Sequence, residues 1–193
     1  PNRKVPRYQW KRASEIFGSS LCMFGRNFDP EEIFDTGFGK SNFSSILTSL
    51  SEQPERIMCR FLTPEINQAG IYVVSFIVNG EITPIVIDDY FPMFFGEIYT
   101  KQKSGAIWFF LLEKAWAKLN GSYMSTCNDD AKITSQHLIG MPSFSISHNE
   151  VREDPVDFFR QLRRFDQLFF MMTATSRAKN RYSLGDLEEG GLL

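Results

Sequence analysis

An α+β fold is predicted by three features of this chain. Phe43, Ile46, Leu47 and Leu50 fall at i, i+3, i+4 and i+7, and Trp108, Leu111, Leu112, Ala115, Trp116 and Leu119 keep the same period. Two helices therefore each carry an apolar stripe. Between them, Gly70 leads into IYVVSFIVNGEITPIVI, rich in β-branched residues and broken by the hairpin dipeptide Asn79-Gly80. After the turn at Gly140-Met141-Pro142 the pattern changes to one capped helix and two strand-like runs, Leu168 to Ala174 and Tyr182 to Leu187.

Each element has a local cause. The first helix begins near Ser41, behind the tight approach Gly37-Phe38-Gly39, and Pro54 is expected to end it. The strands flanking Asn79-Gly80 pair antiparallel, and Asp88-Asp89 to Pro92 closes the second. The aromatic, glycine-containing stretch from there to Lys103 reads as a loop. Asn120-Gly121 stops the second helix. Asp154 followed by Pro155 is a good N-cap and N1 pair for a short helix bearing Phe158, Phe159 and Leu162, and Leu168 to Ala174 reads as a buried strand.

Bulk properties exclude several classes of function. With 193 residues, 42% hydrophobic, the chain can bury a substantial core. The formal net charge of −2, with acids and bases interspersed, gives no basic stripe for nucleic acid. No apolar run reaches the length of a membrane span, and the start PNRKVPRYQWKR is no signal peptide, so a soluble intracellular protein is expected. Cys22, Cys59 and Cys127 are odd in number and lack C-x-x-C spacing, which argues against a disulfide framework or a zinc knuckle. The missing initiator Met and the end at Leu193 are read as marks of a segment of a longer chain. Gly39-Lys40-Ser41 copies the end of a phosphate loop, but the glycine that motif needs at position 34 is Phe34. The 19 Phe sit at helix and strand spacing and read as core.

Five stretches carry a family resemblance. Asp35 to Ser44 reads DTGFGKSNFS, Pro54 to Ile57 reads PERI, Val86 to Pro92 reads VIDDYFP, and Leu111 to Tyr123 reads LLEKAWAKLNGSY. Asn180 to Leu184, NRYSL, is the weaker fifth. On these the chain resembles the catalytic core of the calpains, cysteine proteases of the papain-like class. That family's nucleophile turn reads Q-G-x-L-G-D-C before a helix and then P-E/D-R-I. Its later motifs read V-D-D-x-x-P, L-L-E-K-A-Y-A-K-x-x-G-S-Y and H-A-Y-S-V. The resemblance implies a papain-like calpain protease core with a helical first lobe, here residues 1–142, and the start of a β-rich second lobe, 143–193. The family's third triad member, an asparagine in an N-P-W segment, would fall beyond Leu193.

The resemblance also assigns roles, and the assigned residues have changed. Ser41 stands at the nucleophile position, Asn180 at the position of the base histidine, and Asp35 at that of the oxyanion glutamine. A hydroxyl needs a base to become a useful nucleophile, and a neutral amide cannot take its proton. A carboxylate at Asp35 puts negative charge where negative charge develops. Lys40 and Asn42 replace the aspartate before and the aromatic residue after the nucleophile. Of a first-lobe calcium site, Glu32 matches one acidic ligand, whereas Ala106 stands at the other, so calcium binding is expected to be weak or absent. His137 and His148 match no catalytic position and read as structural. Asp88-Asp89 reads as a strand-end feature rather than a metal site.

Two functions follow from these residues. One is an inactive peptidase fold serving as a structural or protein-binding module. Its partners would be other proteins or other domains of the same chain, in a cytoplasmic setting that suits cytoskeletal or ciliary assemblies. It would need no cofactor and touch neither nucleic acid nor membrane. The other is an active calcium-dependent endopeptidase of cysteine type, or one using Ser41 with a base such as His137.

Overall fold

The computed structural model describes residues 9–25, 28, 42–94, 97–98, 105–126, 130–147, 151 and 154–174. Strand β1 (Gln9–Arg12) passes directly into α1 (Ala13–Phe17) and a 3-10 turn at Gly18–Ser20, followed by α2 (Asn42–Ser51) and α3 (Pro54–Met58). Next come β2 (Ile71–Val78), β3 (Glu81–Asp88), β4 (Tyr90–Phe94) and β5 (Glu97–Ile98). Helix α4 (Trp108–Leu119), a 3-10 turn at Met124–Thr126, α5 (Ala131–Ile139) and α6 (Pro155–Gln167) complete the order. Helix and strand are mixed as an α+β chain requires.

The predicted stripe of α2 is its buried face: Phe43, Ile46, Leu47 and Leu50 are each at most 2% exposed. Burying each is worth about 1.5–3 kcal/mol. The helix ends at Ser51, and the Gln53 N–H donates to the Leu50 carbonyl at 2.9 Å. Pro54, expected to end α2, instead opens α3, at a position where its missing N–H leaves no bond unmade.

Helix α4 buries more than its predicted stripe, because Phe109, Phe110 and Ala117 are covered as well. A helix covered on nearly every side is a central one. Trp116 shows why: its ring lies 5.4 Å from Phe43 of α2, 5.5 Å from Phe76 of β2 and 5.6 Å from His137 of α5. The entry to α4 is held by backbone, with the Ile107 and Trp108 N–H groups donating to the Cys22 and Met23 carbonyls, each at 3.0 Å. Those bonds tie the helix start to the chain just after α1.

The hairpin forms where Asn79-Gly80 predicts it. Both residues have positive φ, 53° and 83°, as a two-residue turn matched to strand twist demands. The antiparallel register pairs Val78 with Glu81 and Ile71 with Asp88. Tyr72, Val74, Phe76 and Ile87 form its buried face.

Three expectations fail here, each for a physical reason. Asp88-Asp89 to Pro92 does not simply close β3, and the stretch beyond Pro92, read as a loop, holds the end of β4 and β5; β4 pairs antiparallel with β1, Trp10 facing Pro92 and Arg12 facing Tyr90. A proline spoke against a strand, and the ladder partner comes from residues remote in sequence. Helix α5 was missed because Thr134 and Ser135 interrupt its apolar pattern. Both are buried, their hydroxyls donating to the Asp130 carbonyl (3.0 Å) and the Lys132 carbonyl (2.8 Å). Its start and stop are conventional: Asp130 caps Lys132 N–H at 2.8 Å, and Gly140 ends it.

The third failure is the strand expected over Leu168 to Ala174. No strand forms there, and Leu168, Phe169, Phe170 and Met172 are exposed. An apolar run becomes a strand only beside a ladder partner, and none is described beside it; the other expected strand, Tyr182 to Leu187, lies outside the described residues. The helix before it does form, with Asp154 Oδ1 accepting from the Val156 and Asp157 N–H groups at 3.1 and 2.9 Å and Pro155 in the first turn. It is not short, running thirteen residues, and Phe159 is exposed.

Candidate active site

Ser41 directly precedes Asn42, the first residue of α2. The position aligned with the nucleophile is therefore the residue before a helix whose Phe43, Ile46, Leu47 and Leu50 face is core. The first turn of such a helix carries the positive end of the helix dipole. The helix is fixed by the face-to-face stack of Phe43 on Trp116, with 9° between the ring planes. Ser41 itself lies outside the described residues, as do Asp35, Lys40, Glu32, His148 and Asn180.

His137 is placed, and its surroundings are structural. It occupies the last turn of α5 with its ring tilted at 60° against the Trp116 indole. Nδ1 is buried and has no hydrogen-bond partner among the described residues. A general base needs its nucleophile within about 2.6–3.2 Å, and no described hydroxyl or thiol meets that atom.

Asp88 and Asp89 behave as the strand-end feature the sequence suggests. Asp89 is 3% exposed and receives Arg12 through Nε at 3.0 Å and Nη2 at 3.2 Å. Its backbone completes the junction: its carbonyl accepts from Ala13 N–H at 2.9 Å, and its N–H donates to the Gly70 carbonyl at 3.0 Å. Gly70 is required there, because φ is +65° and a Cβ would fall 2.0 Å from Arg12 Nη2. The hydrogen bond and charge of Asp89 raise the Arg12 guanidinium pKa further. Asp88 takes the Lys114 ammonium and, at 2.8 Å, the Tyr90 N–H. Burial works to raise its pKa, but those two bonds and the Lys114 charge outweigh it, so its carboxyl sits below its ordinary value.

Sequence reading did not find the partners of these acids. Nothing local pairs Arg12 or Lys114 with an acid, and Lys114 reaches Asp88 only because α4 packs along β3. Lys114 also lies over the Trp10 ring, 5.2 Å from its centroid, and Tyr123 packs against Trp10 at 6.5 Å. Burial, with the charges of Glu113 and Asp88, pushes the Tyr123 phenol far up.

Of the two positions aligned with first-lobe calcium ligands, Glu32 lies outside the described residues and Ala106 is placed. Ala106 is wholly buried in a bridge to Cys22, where a methyl group offers no ligand oxygen. Among the described residues no three His, Cys, Asp or Glu side chains come together to hold a metal. Among the described residues, Ile71, Val86, Ile87, Asp88, Lys114 and Lys118 line an open groove of about 330 Å³. No helix among the described residues is long and apolar enough to cross a membrane.

Comparison with known proteins agrees with this frame. The pattern of the family described as calpain family cysteine protease matches residues 1–193. The chain is 35% identical over 183 residues to the calpain-type cysteine protease DEK1 of Arabidopsis thaliana, covering 87% of this chain and 8% of that protein. It is 32% identical over 167 residues to the calpain-2 catalytic subunit of Mus musculus, covering 83% of this chain and 23% of that one. The chain thus spans less than a quarter of the length of either relative. With a helix set behind the nucleophile position, the double-aspartate strand end and the buried LLEKAWAKL helix all in place, this chain belongs to the calpain family of cysteine proteases and has its α+β protease core.

Proposed function

We propose that this domain has kept the calpain scaffold and lost its chemistry, and that it serves as a structural or protein-binding module in a longer intracellular chain. The observation that carries this reading is the simultaneous presence of Ser41, Asn180 and Asp35 at the positions of nucleophile, base and oxyanion donor. One change alone leaves a weakened site. The three together leave a poor nucleophile with no proton acceptor and a repelled oxyanion. Against His137 as a replacement base stands its buried setting beside Trp116 in the last turn of α5, a residue that matches no catalytic position of the family.

The scaffold itself is sound, which supports a binding role: a protease core binds polypeptide across its surface before any bond is cut. The two relatives compared carry the matching region as a small part of a much longer polypeptide, and we assign the partners to other domains of such a chain or to cytoskeletal proteins in the cytoplasm. The competing reading, an active endopeptidase, draws on family membership and on the intact helix behind Ser41.

Hydrolysis of a fluorogenic peptide by the purified chain, with and without calcium, separates the two. No turnover is expected. Turnover that disappears in Ser41→Ala overturns the proposal, whereas turnover untouched by that change marks a contaminating protease and leaves the domain itself inactive.

A further inference from the structure

Four residues after α6 do something that the expected strand would not. Phe169 has φ +57°, a left-handed conformation in which glycine or asparagine is usual and a bulky aromatic is an outlier. It sits at the end of α6 in a full Schellman arrangement: the Phe169 N–H donates to the Asp166 carbonyl and the Phe170 N–H to the Phe165 carbonyl, each at 2.9 Å. Its side chain is 67% exposed, so burial does not impose the conformation. Strain of this kind persists only where surrounding contacts over-determine it.

The contacts come from the helix pair beside the nucleophile position. Arg56 of α3 donates through Nη2 to the Phe169 carbonyl at 2.9 Å. Ser49 of α2 donates through Oγ to the Met172 carbonyl at 3.1 Å. Between these bonds Met171 packs, partly buried, against the hydrophobic core, while its neighbours Phe170 and Met172 are exposed. On the α6 side, Phe170 stacks on Phe165 with 5.2 Å between centroids and 5° between planes.

We propose that Phe169 to Met172 is a clasp that fastens α6 to the helix behind Ser41, with Arg56 and Ser49 as its catches and Met171 as its plug, and that it opens as one unit. The strained Phe169 backbone is what makes the clasp releasable. Losing the Arg56 bond leaves Phe169 held only by the two bonds that close the end of α6, which weakens the restraint on that residue and frees it from α3. The device acts whether or not the domain is catalytic.

Amide hydrogen exchange on the whole chain tests it. In Arg56→Met combined with Ser49→Ala, exchange at residues 168–172 and in the last turn of α6 should rise tenfold or more, with α4 amides unchanged as the control for folding. Arg56→Lys, which keeps a charged donor, should restore much of the protection. Phe169→Gly, which accepts positive φ without strain, should slow exchange at the same residues in the parent background. An unchanged rate in the double variant, an equal rise in α4, failure of Arg56→Lys to restore protection, or faster exchange in Phe169→Gly overturns the clasp.

Discussion

The indole of Trp116 stacks on the ring of Phe43, centroids 5.4 Å apart and planes nearly parallel. Phe43 lies in the first turn of α2, two residues after Ser41, so this one contact joins the candidate site to the central helix of the core. Trp116 also touches Phe76 and His137, and thus serves α2, β2 and α5 at once.

Replacing Trp116 should therefore be among the costliest changes in the chain. Trp116→Ala is expected to destabilise it by about 3–5 kcal/mol, read as a lower denaturation midpoint with an unchanged urea slope. A loss under about 1 kcal/mol would show that the stack is incidental to the core.

Gly70→Ala should destabilise even though it adds a single methyl group. Positive φ alone costs an alanine about 1–2 kcal/mol, and the new Cβ collides with Arg12 and Asp89. The melting temperature should fall by roughly 2–4 °C for each kcal/mol lost. An unchanged melting temperature would mean that the Arg12–Asp89 pair moves aside freely.

Asp88 gives the chain a small acid-sensitive contribution. Its folded pKa is depressed despite burial, through Lys114 and the Tyr90 N–H. The stabilisation is complete above the unfolded value of about 3.9 and is lost as pH falls through the lower folded value. With the Asp88 side chain 57% exposed, the effect should stay under about 1 kcal/mol. Denaturation of the parent and of Asp88→Asn should differ at neutral pH and converge as the medium is acidified below about pH 4. A difference that stays constant with pH would assign it to packing instead.

Calcium should leave the chain unchanged. Calorimetric titration is expected to give no micromolar binding, and Ala106→Glu should be destabilised by a carboxylate placed where the side chain is wholly buried. Micromolar binding that disappears in Glu32→Gln would show that other oxygens complete a site around Glu32.

The sequence by itself determined those elements whose cause is local. The stripe at Phe43 to Leu50, the Asn79-Gly80 turn and the Asp154-Pro155 helix start needed no partner to be read, because period, turn chemistry and capping act within a few residues. Ser41, Asn180 and Asp35 are likewise read from the sequence alone, as residue identities at motif positions, and lie outside the described residues. Tertiary structure decided the rest. It made a strand of Tyr90 to Phe94 by setting β1 beside it, and left the equally apolar Leu168 to Ala174 without a ladder, tied by Arg56 and Ser49. It covered α4 on nearly every side and turned Arg12 and Lys114 into partners for two aspartates. Strand pairing, helix burial and ion pairing are contacts between residues far apart in the chain, and a local pattern holds no record of what will lie across from it.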